Sequence, residues 1–329
     1  MARKMKLFTC SSISFLSVRA SSSLISPDTL KRIDIKVVLS DMDGTLLNKQ
    51  HKVSDHSINT LVNLKRQEKY SFFPATGRTR KSMADVTGQK FIELFGNDIY
   101  SVPGVYSQGL TVYGRDGKLI YERFLDNEVL SMAEDFCTRK DIVVLAYAGD
   151  RIFCQSRSPR VLKVCEYGDG EPEEYSAGLK NLFKDGIAVN KLIMLGEDDR
   201  LSEVRPEAEE FLKGKAALTT SVPGMLEILP FGASKGEGVR ILLDHLAVAP
   251  ENCMAFGDGE NDIEMLKYVG LGIAMENGRP ELKKVADALT LANDQDGVAY
   301  AINMLLEETA TTTTTTASNY VALRPVNLT

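Results

Sequence analysis

No tryptophan occurs in the 329 residues, and histidine and cysteine are scarce, with three and five copies. His51, His56 and His245 stand far apart, and none falls in an HExxH string, so zinc and triad chemistry built on histidine are poorly supplied. Cys10, Cys137, Cys154, Cys165 and Cys253 are scattered without a CxxC. An odd, dispersed set reads as reduced thiols and not as a disulfide framework or zinc site. Positive charge is in deficit: 39 Lys and Arg against 45 Asp and Glu give −6, with a pI near 5.4. General binding to nucleic acid or to an anionic membrane needs a basic face and is not expected. No run approaches 18 apolar residues, so no transmembrane helix is expected either. What is present is an ordinary globular mixture, 43% apolar, long enough for two domains or one large one.

The two ends depart from that mixture. Residues 1–30 are rich in serine, carry Arg3, Lys4, Lys6 and Arg19, and have no acid before Asp28. Serines at 11, 12, 14 and 17 interrupt what would be the apolar core of a secretory signal. The segment therefore reads as an organelle transit peptide, with plastid preferred over mitochondrion because serine outweighs arginine. The alternative is a tail without an address on a cytoplasmic protein. At the other end six threonines, Thr311 to Thr316, open a low-complexity stretch that cannot offset its ordering entropy by burial. The expected organisation is a disordered leader over 1–32, a core domain from 33–125 and 230–307, an inserted domain over 126–229, and a disordered tail over 308–329.

Between the ends, short β-rich runs stop at polar turns. Ile35 to Ser40 leads into Asp41-Met42-Asp43-Gly44-Thr45, and Tyr70 to Phe73 leads into Ala75-Thr76-Gly77-Arg78. Cys253 to Phe256 leads into Gly257-Asp258-Gly259-Glu260-Asn261-Asp262, and Leu271 to Met275 is a further strand. Ser54 caps an apolar stripe at Ile58, Leu61, Val62 and Leu64, and residues 102–123 alternate about a Gly114–Gly117 hairpin turn. Strand, polar turn and helix in repetition predict an α/β fold with a mainly parallel sheet covered by helices, whose ligands bind beyond the carboxyl ends of the strands. The middle mixes helices (127–139, 205–213) with strands (142–147, 151–155, 191–195), which predicts an α+β insertion.

Each turn carries chemistry. Asp41 and Asp43, two apart at a strand end, can reach one pocket as nucleophile and proton carrier, and they attract a hard cation such as Mg²⁺. Thr76 and Gly77 offer a hydroxyl and an open backbone N–H to phosphate oxygens. Lys235, after Ser234, sits at a helix start where the dipole disfavours a cation, unless it faces phosphate or carboxylate. Asp258 and Asp262, with Asn261 between, offer a metal ligand and the groups that orient it.

In this order the four elements resemble the haloacid dehalogenase superfamily, in particular its Cof-like subclass IIB phosphatases. The similar strings are VLSDMDGTLL at 38–47, PATGRT at 74–79, GASKGEGV at 232–239 and GDGENDIEML at 257–266, with GIAMENG, ADALT and NDQDGVAYAI further on. The resemblance implies a Rossmann-like core with an α+β cap, and a Mg²⁺-dependent phosphatase acting on a small phosphorylated metabolite. Asp41 would form an aspartyl-phosphate, and Asp43 would protonate the leaving oxygen and then activate water. Asp41, the Asp43 carbonyl and Asp258 would hold the metal, with Asp262 in support. Thr76, Gly77 and Lys235, with Asn261 beside them, would hold the phosphoryl group. An acid at position 43 favours phosphate-ester chemistry over dehalogenation. One departure stands out: Ser107-Gln108-Gly109 replaces the usual Asn-Gly-Ala. A phosphomutase is the alternative within enzymes, and a non-catalytic scaffold on this fold the alternative outside them. Arg151, Arg157, Arg160 and Lys163 read as a solvated basic edge of the cap.

Overall fold

The structure, a computed structural model, describes residues 23–308, so the greater part of the expected leader and the Thr-rich tail lie outside the described residues. The expected disordered span to residue 32 is too long. Ser23 and Ile25 bond to both sides of Leu289 in the backbone, and a short helix α1 (Pro27–Leu30) follows. Ile25 and Leu30 are each only 3% exposed, because they close one edge of the main core.

The first core segment then alternates strand and helix. Strand β1 (Val37–Ser40) is buried at every position, as expected of a central parallel strand with helices on both faces. Helix α2 (Asp55–Arg66) is capped by Ser54, whose hydroxyl accepts from Ser57 N at 2.9 Å, and it buries Ile58, Leu61 and Leu64. Strand β2 (Ser71–Pro74), helices α3 (Arg80–Thr87, capped by Thr79) and α4 (Gln89–Phe95), and strands β3 (Gly104–Tyr106), β4 (Thr111–Tyr113) and β5 (Leu119–Glu122) complete it. The 102–123 hairpin is thus a three-stranded antiparallel sheet, with its expected turn between β4 and β5.

The insertion comprises α5 (Asn127–Lys140), β6 (Val143–Ala148), β7 (Arg151–Cys154), α6 (Pro159–Glu166), β8 (Glu173–Glu174), β9 (Lys191–Leu195), α7 (Asp198–Phe211), β10 (Ala216–Thr220) and β11 (Met225–Pro230). Helix α7 starts seven residues before the sequence expectation. Its mostly polar first turns, with Asp198 and Asp199 at the positive end of the helix dipole, gave little apolar period to read. The six strands form one sheet in the order β10-β11-β9-β6-β7-β8. Alternation sorts its side chains by face. Leu192, Met194, Leu226 and Ile228 join one cluster with residues of α5 and α7, whereas Leu145, Tyr147, Ile193 and Met225 belong to the opposite face.

The chain re-enters the core with α8 (Lys235–Leu246), β12 (Cys253–Gly257), α9 (Ile263–Tyr268), β13 (Leu271–Met275), α10 (Pro280–Lys283) and β14 (Ala288–Thr290), and a last helix runs over 297–308. The core sheet is parallel throughout, in the order β14-β13-β12-β1-β2. Ser40 pairs with both Phe256 and Pro74. The carboxyl ends of β2, β1 and β12 are therefore level and adjacent, and their three polar turns open on one point.

Candidate active site

Asp41 leaves the end of β1 with its backbone N–H on the carbonyl of Phe256, 3.0 Å away. The next residues wind tightly, and Gly44 takes φ +72°; a Cβ there would also meet an Asp258 carboxylate oxygen at 2.3 Å. Only glycine lets the β1 turn come this close to the β12 turn. Asp41 is 6% exposed and Lys235, the first residue of α8, is 1% exposed. The Lys235 ammonium lies 2.8 Å from Asp41 Oδ1 and 2.5 Å from Asp262 Oδ1. A lysine at a helix start is thereby answered by two carboxylates. Burial opposes its charge, but Asp262 and Asp41 raise its pKa above the ordinary lysine value. Burial pushes the Asp41 carboxyl well above the usual carboxylate range; Lys235 opposes this, while Asp262 and Asp258 reinforce it.

Asp258 is pushed up to about 7 by burial and by Asp262, against a hydrogen bond from the Thr45 hydroxyl to Oδ1 at 2.7 Å. Oxygens of Asp41, Asp258 and Asp262 all lie within 4.8 Å of one another. Asp262 has both oxygens engaged: Oδ1 with Lys235, and Oδ2 with the N–H groups of Asp258 and Gly259 at 2.9 Å each. Asp41 Oδ2 and Asp258 Oδ2 have no hydrogen-bond donor among the described residues. Two open carboxylate oxygens on mutually repelling acids fit a hard divalent cation, and Asp262 fits as the group that orients the turn.

Asp43 points the other way. Arg78 grips it bidentately, Nε to Oδ2 and Nη2 to Oδ1, each at 2.7 Å, and His51 Nδ1 stands 3.5 Å from Oδ1. Burial works against the Asp43 charge, yet the bonds from His51 and Arg78 win and hold the carboxyl below its usual range. The remaining arm of Arg78, Nη1, donates to Ser82 Oγ at 2.9 Å and to the Tyr167 carbonyl of the cap at 2.5 Å. Ser82 and Tyr147 hold the two oxygens of Asp169, at 2.6 and 2.8 Å. Core and cap thus meet around Arg78.

Thr76 is fully buried; its hydroxyl accepts from Arg78 N at 3.1 Å. Gly77 lies under the Gln108 side chain, where a Cβ would meet Nε2 at 2.5 Å. Asn261 donates from Nδ2 to Gln108 Oε1 at 3.1 Å, and its own Oδ1 is buried without a partner among the described residues. The space enclosed between these groups and the cap is about 40 Å³, enough for two or three waters but not for a substrate, so the cap is shut on the core.

All eight expected residues, Asp41, Asp43, Thr76, Gly77, Lys235, Asp258, Asn261 and Asp262, lie at this one edge of the sheet, Lys235 at the start of α8 and the others in its turns. Sequence reasoning passed over Arg78, His51, Lys191, Glu227 and the Tyr147–Asp169 pair. A signal did exist for two of them: Lys191 and Glu227 are charges within otherwise apolar strands. Arg151 and Arg157 are exposed and paired with Glu173 and Glu171, each at 2.7 Å.

Residues 38–302 match the model of the haloacid dehalogenase-like hydrolases. The chain belongs to that family and is a phosphatase of it. It is 30% identical to the HMP-PP phosphatase of Shigella flexneri over 75% of this chain and 86% of that one. It is 37% identical to the Endoribonuclease YBEY, chloroplastic, of Arabidopsis thaliana, over 80% of this chain but only 45% of that protein's length. Among solved structures, a haloacid dehalogenase-like hydrolase from Bacteroides thetaiotaomicron aligns with TM-score 0.67 and 29% identity, covering 82% of this chain and 98% of the other. A HAD/COF-like hydrolase from Plasmodium vivax aligns at 0.76 with 21% identity, covering 85% and 98%, which speaks for the fold alone.

Proposed function

We propose that the protein is a Mg²⁺-dependent phosphatase that hydrolyses a small phosphorylated metabolite through an aspartyl-phosphate. The observation that carries this is the meeting of Asp41 and Asp258 from two separate turns with Lys235 from the start of α8, with two carboxylate oxygens left open. Asp41 Oδ2, Asp258 Oδ2 and the Asp43 carbonyl would hold the Mg²⁺, which would neutralise charge on the transferring oxygens.

The residues divide the work. A phosphate dianion meets repulsion from Asp41 of about 4 kcal/mol per charge pair at 4 Å and an effective dielectric of 20. Lys235, fixed 2.8 Å from the nucleophile, is placed to offset it. An Asp41 oxygen forms the bond to phosphorus as the bond to the leaving oxygen breaks, and Asp43 gives that oxygen its proton. Thr76 and Gly77 receive the phosphoryl oxygens. Water then attacks phosphorus, Asp43 takes its proton, and Asp41 is released with inorganic phosphate. With the cap shut, Asp43 is parked on Arg78 as the carboxylate, the form the second step uses. An entering phosphate competes for the guanidinium and frees Asp43 to carry a proton.

Substrate entry needs the cap to swing away, and closure afterwards excludes water from the first step. The relatives named HMP-PP phosphatase place that compound first in a substrate panel. A plastid location draws on the Ser-rich leader and on the word chloroplastic in the Arabidopsis relative's name. The deciding experiment is phosphate release from an aryl phosphate and from that panel, with and without Mg²⁺, using Asp41→Asn as control. Turnover by wild type that stops in chelator and in the variant is expected; equal turnover by Asp41→Asn would remove covalent catalysis.

A further inference from the structure

The cap sheet carries two charges on the face it turns to the core. Lys191 opens β9 and Glu227 sits in the middle of β11, and they are 3% and 1% exposed. Their salt bridge is 2.5 Å long. A buried ion pair contributes little to stability that a pair of apolar side chains would not, so its bonding outside the cap is the informative part. Lys191 Nζ donates to the carbonyl of Gly77, 2.9 Å away, in the phosphate-binding turn. Glu227 Oε1 accepts from Ser221 Oγ at 2.5 Å and from Gln108 Nε2 at 2.6 Å. Gln108 in turn accepts from Asn261 in the turn that carries Asp258 and Asp262.

Polarity runs one way along this chain. A carboxylate only accepts, so Gln108 must turn its NH₂ to Glu227 and its oxygen to Asn261. Asn261 must then turn its NH₂ to Gln108, which leaves its Oδ1 buried in the site without a donor among the described residues. The charge on the cap thus sets the orientation of an amide in the turn that carries Asp258 and Asp262.

We infer that Lys191 and Glu227 are positioning residues that make phosphoryl transfer conditional on cap closure. This rests on the phosphatase reading above. Closing the cap seats the ammonium on the Gly77 carbonyl and the carboxylate on the Gln108 amide. Only then do the Gly77 carbonyl and the Gln108 amide have their partners from the cap. With the cap away, Gly77 and Gln108 turn to water and the site is incomplete. Gln108, longer than the asparagine of the related motif, is what spans from Asn261 to the cap acid.

The test uses the full chain and three variants: Lys191→Met, Glu227→Gln, and the pair Lys191→Met with Glu227→Leu. The pair variant buries no unpaired charge, so its melting temperature should stay near that of wild type, while Lys191→Met alone falls. Its kcat on an aryl phosphate with Mg²⁺ should nevertheless drop roughly 10²-fold, as expected of misplaced reacting groups, with KM moving far less. Glu227→Gln keeps the size but loses the fixed polarity and should lose kcat; its melting temperature should fall as that of Lys191→Met does, because Lys191 stays buried without its counter-charge. Amide hydrogen exchange without substrate should quicken at 76–78 and 107–109 in the pair variant and stay unchanged in β1 and β12. A pair variant with wild-type kcat and wild-type exchange at those turns overturns the inference. Wild type without phosphate release overturns the phosphatase reading instead, and the exchange result still decides the positioning.

Discussion

Replacing Arg78 by methionine should weaken the pH dependence that Asp43 gives to stability. In the native protein, Asp43 has its pKa held down, with Arg78 Nε and Nη2 each 2.7 Å from its oxygens. A group depressed in the folded state stabilises above its unfolded value, near 4, and that contribution is lost as pH falls through the folded value. At a charge separation of about 4 Å and an effective dielectric of about 20, the pair is worth about 4 kcal/mol before desolvation is charged against it. Asp43 has 19% of its side chain exposed, so the pair is screened only in part. Methionine keeps the stem but leaves the part-buried Asp43 with only His51 beside it, and removing one partner of a buried pair costs at most about 3–5 kcal/mol. Burial is then opposed by His51 alone, the folded pKa moves upward, and Asp43 stabilises less at neutral pH. The measurement is the melting temperature of both proteins from pH 4 to pH 8. The deficit of the variant should be largest at neutral pH and shrink towards pH 4, where Asp43 folds as the neutral acid. In the same variant the acid limb of kcat, set by the base form of Asp43, should move to higher pH. A deficit that is equal at pH 4 and pH 8, with an unmoved limb, refutes the account of the Arg78–Asp43 clamp.

Three further outcomes are expected. Asp43→Asn should cost about 10²–10⁴ in the first step for a sugar phosphate, whose leaving alkoxide needs a proton. With an aryl phosphate the same variant should give a phenol burst near one per site and a slow steady rate in rapid mixing; equal losses for both substrates and no burst would count against its acid–base role. Mg²⁺ activation should weaken below about pH 7, because Asp258 titrates there and must be ionised to hold the cation; a half-saturating Mg²⁺ level constant from pH 6 to pH 8 would contradict this. Deleting residues 1–22 should leave the melting temperature nearly unchanged, whereas deleting 1–32 should lower it by several degrees, because Ile25 and Leu30 then leave the core. Equal melting temperatures for the two truncations would mean that 23–32 contributes nothing.

What could be read from the chain and what could not follows the range of the interactions. The strand before Asp41 was legible because Val37 to Leu39 are β-branched or bulky and a polar turn follows at once. The helix after Ser54 was legible because its cap and its apolar spacing are local. Helix α7 was placed seven residues late because its first turns are polar, and only packing against β11 and the rest of the cap defines them. The leader's composition hid the docking of Ile25 and Leu30, because the backbone partner of residues 23–25, Leu289, is over 250 residues away.

The sequence by itself determined the candidate chemistry: two acids two apart, a Thr-Gly turn, a lysine at a helix start, and an acid cluster, each at a strand or helix end. It could do so because a motif's residue types and short spacings are properties of the local chain. Which of those groups touch was decided by the tertiary structure. The strand order β2-β1-β12 laid turns about 35 and 215 residues apart along the chain side by side. That order let Lys235 engage both Asp41 and Asp262, and it filled both oxygens of Asp262 while leaving one open on Asp41 and one on Asp258. Contacts within the core set Arg78 on Asp43, and the closed cap added what no local pattern specifies, the Lys191–Glu227 pair on Gly77 and Gln108. Charge pairing across a domain interface depends on how two independently packed sheets face each other, and that is settled only when both cores have formed.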